Sequence, residues 1–152
     1  MPEIAIRQGR PEDVGAITTL TRQAYAKWIP FIGREPLPMA ANYADAISRH
    51  RFDLIFLGAD LAGLIETEVR PEDLFVENVA VAPGFQKRGF GRRLLAHAET
   101  LAIEAGRNQI RLFTNARFRA NIDLYTALGY EMERKEAFRS GLSVHFVKHV
   151  IP

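Results

Sequence analysis

The chain has 152 residues, 47% of them hydrophobic and 25% charged, with a formal net charge of +2. That composition suits a globular chain able to bury a sizeable core, and no run approaches the eighteen or so apolar residues of a membrane span. Cysteine is absent, which excludes disulfides, thiolate-bound zinc and an acyl-cysteine intermediate carried by this chain.

The opening "MPEIAIRQGRPED" holds charges where a secretory leader needs an apolar core, so a cytoplasmic location is the default expectation. "EIAIRQGR" alternates and predicts a first strand. "PEDVGAITTLTRQAYAKW" predicts a helix, with Pro11 at its first position and Glu12 and Asp13 in a first turn whose dipole favours acids. Val14, Ile17, Leu20, Ala24 and Trp28 keep helical spacing along it. Three prolines break "IPFIGREPLPMAANYADAISRH" in its first half, and helix is expected again from about Met39 to His50.

"FDLIFLGADLAGLIETEV" predicts a hairpin turning around "GAD", and "DLFVENVAVAP" a further strand that stops at Pro83. Helical spacing returns in Phe90, Leu94, Ala98, Leu101 and Ala102, with Gly106 as a left-handed cap. "QIRLFT" predicts a strand, "NIDLYTALGY" a short helix ended by Gly129, and "SVHFVKHV" the last strand, with one more strand near "GYEMERK". No repeat or linker divides this series, so it predicts one domain over residues 1–152. The order of elements, β-α-α-β-β-β-α-β-α-β plus the extra strand, predicts a mixed α/β sheet with helices on its faces.

Between "ENVAVAP" and the helix at Phe90 sits "GFQKRGFGRR". A helix N-terminus leaves backbone N–H groups without intrahelical partners and carries partial positive charge, so it attracts phosphate. Gly89 and Gly91 let an anion approach the amides, and Lys87, Arg88, Arg92 and Arg93 add positive potential. From the turn alone, a pyrophosphate site and a plain strand-to-helix turn with a solvated basic face stand level. The P-loop pattern is absent, because Phe90 and Gly91 stand where Lys and Ser/Thr are required, and so is the dinucleotide fingerprint.

Gln86-Lys87-Arg88-Gly89-Phe90-Gly91 matches the Q/R-x-x-G-x-G/A acyl-CoA signature, "VAVAP" resembles the central strand, and "NIDLYTALGY" resembles the second motif of the GNAT N-acetyltransferase superfamily. The resemblance covers residues 3 to about 150. It implies a mostly antiparallel twisted sheet of six to seven strands with about four helices, and acetyl-CoA (coenzyme A) as the donor. By the same resemblance the diphosphate would lie on the amides of Gln86, Lys87, Arg88, Gly89, Phe90 and Gly91, and pantetheine along Val79, Ala80 and Val81. The N–H near Val81 would polarise the thioester carbonyl.

Transfer to an amine needs a neutral amine, a stabilised oxyanion and a proton for the departing thiolate. Tyr125 matches the family's general-acid tyrosine; its structural alternative is an aromatic packing the helix on the sheet. Asn121 matches the position that contacts the pantetheine arm, and reads equally as a residue of the helix start. Glu77 is the carboxylate placed for a general base, sharing a strand face with Val79 and Val81 unless a bulge intervenes, and reads equally as a locally bonded Glu. Asn78 and Asn115 either contact substrate or form turns.

GNAT specificity varies between the first two strands. There Trp28, Phe31, Ile32, Met39 and Tyr43 can wall an apolar pocket and Arg34 or Glu35 hold a charge, or else they simply pack helices. His145 and His149 lack a third ligand, so no metal is expected, and Ser48, Ser140 and Ser143 lack a nucleophile-elbow context. The expected partner is a small-molecule or peptide amine, with neither nucleic acid nor membrane. Pairing through late strands, frequent in the family, makes a homodimer an expectation. The rival readings are a non-catalytic acyl-CoA sensor of the same fold and, last, a nucleic-acid-binding protein, which would need a stacking platform beside the basic turn.

Overall fold

In the computed structural model, residues 2–33, 35–138 and 141–151 are described, without the side chains of Phe31, Ile32 and Phe138. Seven strands, Ile4–Gln8 (β1), Arg51–Leu57 (β2), Asp60–Val69 (β3), Leu74–Val81 (β4), Gln109–Asn115 (β5), Glu131–Phe138 (β6) and Gly141–His149 (β7), form one sheet in the order β1-β2-β3-β4-β5-β7-β6. The β1–β2, β2–β3, β5–β7 and β6–β7 ladders are antiparallel, whereas β4 and β5 pair in parallel at Leu74–Ile110 and Phe75–Arg111. The helices are Val14–Tyr25 (α1), Ile29–Ile32 (α2), Leu37–Ala40 (α3), Tyr43–Arg49 (α4), Phe90–Glu104 (α5) and Arg119–Ala127 (α6). Of these α2 and α3 are single turns. Among the described residues no helix is long and apolar enough to cross a membrane. This is the mixed, mostly antiparallel α/β sheet expected from the sequence.

The helix expected over Met39–His50 is two pieces. Ala41 is extended (ψ 147°) and ends α3, and the Asn42 side chain accepts a hydrogen bond from the Asp45 N–H at 3.1 Å, starting α4 afresh. A cap one residue after the break divides the stretch that follows the prolines, which had suggested one continuous helix. Arg34 and Ser140 lie outside the described residues.

The chain divides into two compact units, Met1–Thr67 with Asn78–Leu95, and Glu68–Glu77 with Ala96–Pro152. In the first, Ile17, Leu20 and Ala24 of α1, Leu54 and Ile55 of β2, Leu64 and Ile65 of β3 and Leu94 of α5 are buried. Thr21 and Tyr25 extend the α1 stripe at the i, i+4 interval. Gly63 lies where β3 meets β4: a Cβ there would stand 2.8 Å from the Ala80 carbonyl and 3.2 Å from Leu94 Cδ1. In the second unit, Leu74, Val76, Ile110, Leu112 and Phe146 are buried. Along β5, Arg111, Phe113 and Asn115 alternate with the buried Ile110, Leu112 and Thr114, as period-two geometry requires.

In the first unit the guanidinium of Arg7 donates two hydrogen bonds of 2.9 Å to the Asp13 carboxylate. They draw the Asp13 pKa down to about 2. An unfolded aspartate titrates near 3.9, so this pair contributes stability at all higher pH, and the contribution is lost as pH falls through about 4 to 2. The stability advantage of the wild type over Asp13→Asn, read from urea midpoints, is expected to be constant from pH 5 to 7 and to shrink steadily below pH 4. Gly63→Ala is expected to destabilise the fold by about 1–3 kcal/mol, since the backbone carbonyl it meets has no free rotor to swing away. A urea midpoint equal to that of the wild type would contradict it.

Candidate functional site

Strand β4 hands over to α5 through a short 3-10 turn, Pro83–Phe85, and four turn residues, Gln86 to Gly89. Pro83 ends the ladder because it has no N–H to donate. Lys87 (φ 62°) and Gly89 (φ 87°) both take the left-handed conformation, which is unfavourable for a lysine and free for glycine. The first hydrogen bond of α5 runs from the Arg93 N–H to the Gly89 carbonyl at 3.1 Å. A helix starting there has no intrahelical carbonyl for the amides of Phe90, Gly91 and Arg92. A Cβ on Gly89 or Gly84 would meet nothing within 4 Å, so the backbone of the turn is open to an incoming group.

Lys87, Arg88 and Gly89 are exposed, Gln86 and Gly91 half-buried, and Phe90 is buried. The Arg88 guanidinium lies 5.1 Å from the Phe85 ring centre and donates to the Gly84 carbonyl at 3.3 Å, while Phe85 and Phe90 meet edge-on at 5.5 Å. Arg7, Arg22, Arg49, Arg51, Arg70, Arg111, Arg119 and Arg134 each hold a carboxylate. Among the described residues Lys87, Arg88, Arg92 and Arg93 hold none. Among the described residues the positive charge of the turn is therefore uncompensated. That fits a multiply charged anion, and a diphosphate has the charge and the acceptor oxygens for such a turn.

Along β4, Glu77 is exposed, Val79 and Val81 are half-buried, and Asn78 and Ala80 are buried, so Glu77, Val79 and Val81 share one face. Asn78 faces inward, and its Oδ1 accepts a 2.6 Å hydrogen bond from the Tyr25 hydroxyl. The same hydroxyl lies 3.2 Å from the Val79 carbonyl. Among the described residues the buried Asn78 Nδ2 has no hydrogen-bond partner. Gln86 Nε2 donates to the Val81 carbonyl at 3.0 Å, and Gln86 Oε1 accepts from Lys27 Nζ at 2.8 Å. Lys27 also stands 5.2 Å from the ring centre of Trp28, which is half-buried. Sequence reasoning missed Tyr25 and Lys27; the only available signal was that the α1 stripe, continued by i, i+4 steps, reaches Tyr25.

The second unit holds the other candidates. Tyr125 of α6 is buried, with ring centres 5.9 Å from Tyr130 and 5.7 Å from Phe146, and burial pushes its pKa up to about 12. The phenol is thus a proton carrier at any physiological pH. Asn121 is the third residue of α6 rather than its cap, and its Nδ2 donates to Thr114 Oγ1 at 3.3 Å. Asn115 forms a turn: its Oδ1 accepts from the Arg117 N–H at 2.8 Å.

Other residues of the candidate specificity segment are spoken for. Met39 and Tyr43 are core residues, the Tyr43 hydroxyl donating to the Pro38 carbonyl at 2.7 Å, and Glu35 pairs with Arg22 at 3.0 Å. The Phe31 and Ile32 side chains lie outside the described residues. Ser143 Oγ and Glu136 Oε2 both lie 3.2 Å from His145 Nε2. Two partners on one nitrogen leave no relay through the ring, so this cluster is not a nucleophilic triad.

A model of the "Acetyltransferase (GNAT) family" matches residues 19–130. Over 77 residues the chain is 30% identical to the Bacillus subtilis protein called uncharacterized N-acetyltransferase YvbK, and the matched stretch spans about half the length of each. The fold is similar to that of the PaiA N-acetyltransferase of Thermoplasma acidophilum, solved in complex with coenzyme A, with a TM-score of 0.80 and 18% identity over 94% of this chain and 98% of that one. It is also similar to the ribosomal-protein-S18-alanine N-acetyltransferase of Escherichia coli, with a TM-score of 0.79 and 20% identity over 97% and 94%.

Replacing Tyr25 by Phe leaves the buried Asn78 carbonyl oxygen without its donor, and is expected to cost about 1–3 kcal/mol in a urea titration. An unchanged midpoint would show that this hydrogen bond contributes nothing.

Proposed function

Because the chain belongs to the GNAT acetyltransferase family, we propose that it transfers an acetyl group from acetyl-CoA to the primary amine of a small molecule or peptide. The observation that carries this reading is the uncompensated cationic turn at the start of α5, with left-handed backbone at Lys87 and Gly89. In this proposal the amides of Gln86 to Gly91 hold the diphosphate. The family signature assigns Val79, Ala80 and Val81 to the pantetheine arm and the N–H near Val81 to the thioester oxygen, where a fixed donor stabilises the developing oxyanion. Asn121 is proposed to contact the same arm.

The neutral amine attacks the thioester carbonyl directly, forming the C–N bond as the C–S bond breaks, since the chain has no cysteine to carry the acyl group. Glu77, exposed and on the face of Val79 and Val81, is the proposed proton acceptor from the ammonium. Tyr125 is the proposed donor to the departing thiolate; its phenol carries its proton at neutral pH, as a donor must, although burial raises the pKa and makes that proton harder to give up. Trp28, Phe31, Asn78 and Asn115 remain proposed substrate contacts. The burial of Asn78 and the turn made by Asn115 weigh towards support of the backbone for those two. A single domain over residues 1–152, a cytoplasmic location and a homodimer complete the proposal.

Calorimetry with coenzyme A and mass spectrometry of products from an amine panel test the reading together. Binding with acetylated product is expected, and Tyr125→Phe is expected to lower kcat by about 10²–10⁴ while coenzyme A still binds. Coenzyme A binding without product from any amine would favour a sensor, and no binding would remove the proposal.

A further inference from the structure

Lys27 follows α1 in the 3-10 turn Ala26–Trp28, and nothing in the family signature refers to it. Its ammonium nevertheless reaches the first residue of the phosphate turn: Nζ donates to Gln86 Oε1 at 2.8 Å, and Gln86 Nε2 donates onward to the Val81 carbonyl at 3.0 Å. The link holds the Gln86 amide in one orientation, because the nitrogen faces a carbonyl and the oxygen an ammonium. The Tyr25 hydroxyl, two residues earlier, is bonded to Asn78 at 2.6 Å, so the end of α1 is tied down on β4. Lys27 is exposed, but its ammonium is anchored by the Gln86 amide rather than left to swing freely.

Its charge is poorly served where it stands. Burial, and then the Lys87 ammonium, pull the Lys27 pKa below its ordinary value. No carboxylate pairs with Lys27 among the described residues. A neutral amide is a weaker partner for an ammonium than an anion is. Two ammonium groups converge on one turn, and an anion seated there would relieve both.

We infer that Lys27 is a diphosphate-binding residue supplied from outside the signature turn, held in readiness by Gln86 and completing the anion site with Lys87. The inference rests on the acyl-CoA reading of the turn.

The test is calorimetry of the whole chain with coenzyme A, with dephospho-coenzyme A, which keeps the diphosphate and lacks the ribose phosphate, and with pantetheine, which lacks both. Lys27→Gln is expected to weaken both nucleotides by about tenfold and to leave pantetheine unaffected, as loss of one charge-assisted contact predicts, and Lys27→Arg is expected to restore most of the affinity. Wild-type affinity for dephospho-coenzyme A in Lys27→Gln would overturn the inference, since any loss would then belong to the ribose phosphate. Equal impairment of Lys27→Arg would overturn it too, as the mark of a packing role. If the wild type binds no coenzyme A, the parent reading fails; wild-type binding with an unaltered Lys27→Gln removes this inference alone.

Discussion

The backbone at the start of α5 imposes the condition on which the rest depends. A helix must begin with amides that its own carbonyls cannot reach, and here those amides follow a turn that is left-handed at Lys87 and Gly89. Nature tolerates such a lysine when surrounding structure over-determines it, and the surroundings are clear: Pro83 stops the strand, Phe90 is buried, and Gln86 grips the Val81 carbonyl. The shape of the turn is therefore supported by the chain's own contacts. A site formed in advance loses less ordering entropy on binding.

Charge reinforces what the backbone begins. The arginines elsewhere in the chain are largely occupied by aspartates and glutamates, as on an ordinary surface where charges of both signs interleave. In the turn that compensation stops. Four cations within seven residues repel one another, which slightly disfavours the folded state, and an anion is what relieves the repulsion. The same turn could have been built with acids beside the bases, and it was not. The end of α1 joins this arrangement through Tyr25 and Lys27, so a helix whose last residue lies 53 positions before Asn78 bears on how β4 is held.

The second unit works by burial instead of charge. Tyr125 sits among Tyr130 and Phe146, where burial raises the pKa of its phenol above the ordinary value. Asn121 is held by Thr114 and Tyr125 packs on Phe146, so both residues are fixed by contacts with the sheet of their own unit. Rigid support of this kind would serve the proton donor proposed at Tyr125.

Local chemistry made much of this legible in the amino-acid sequence. Alternation marked the strands, helical spacing marked α1, α5 and α6, and the glycine-basic run between a β-branched strand and a helix marked the turn proposed as the anion site, because each depends on neighbours within a turn or two. The boundary between α3 and α4 was less legible, since Asn42 offers a cap whose use depends on how Ala41 is held. Asn115 and Asn78 were undecidable from the chain alone: turn and contact demand the same residue type, and only the folded backbone selects between them. Lys27 and Tyr25 belong wholly to tertiary structure. They meet β4 and its turn across more than fifty residues of chain, and no periodicity within a helix encodes which distant carbonyl or amide its last turn will face.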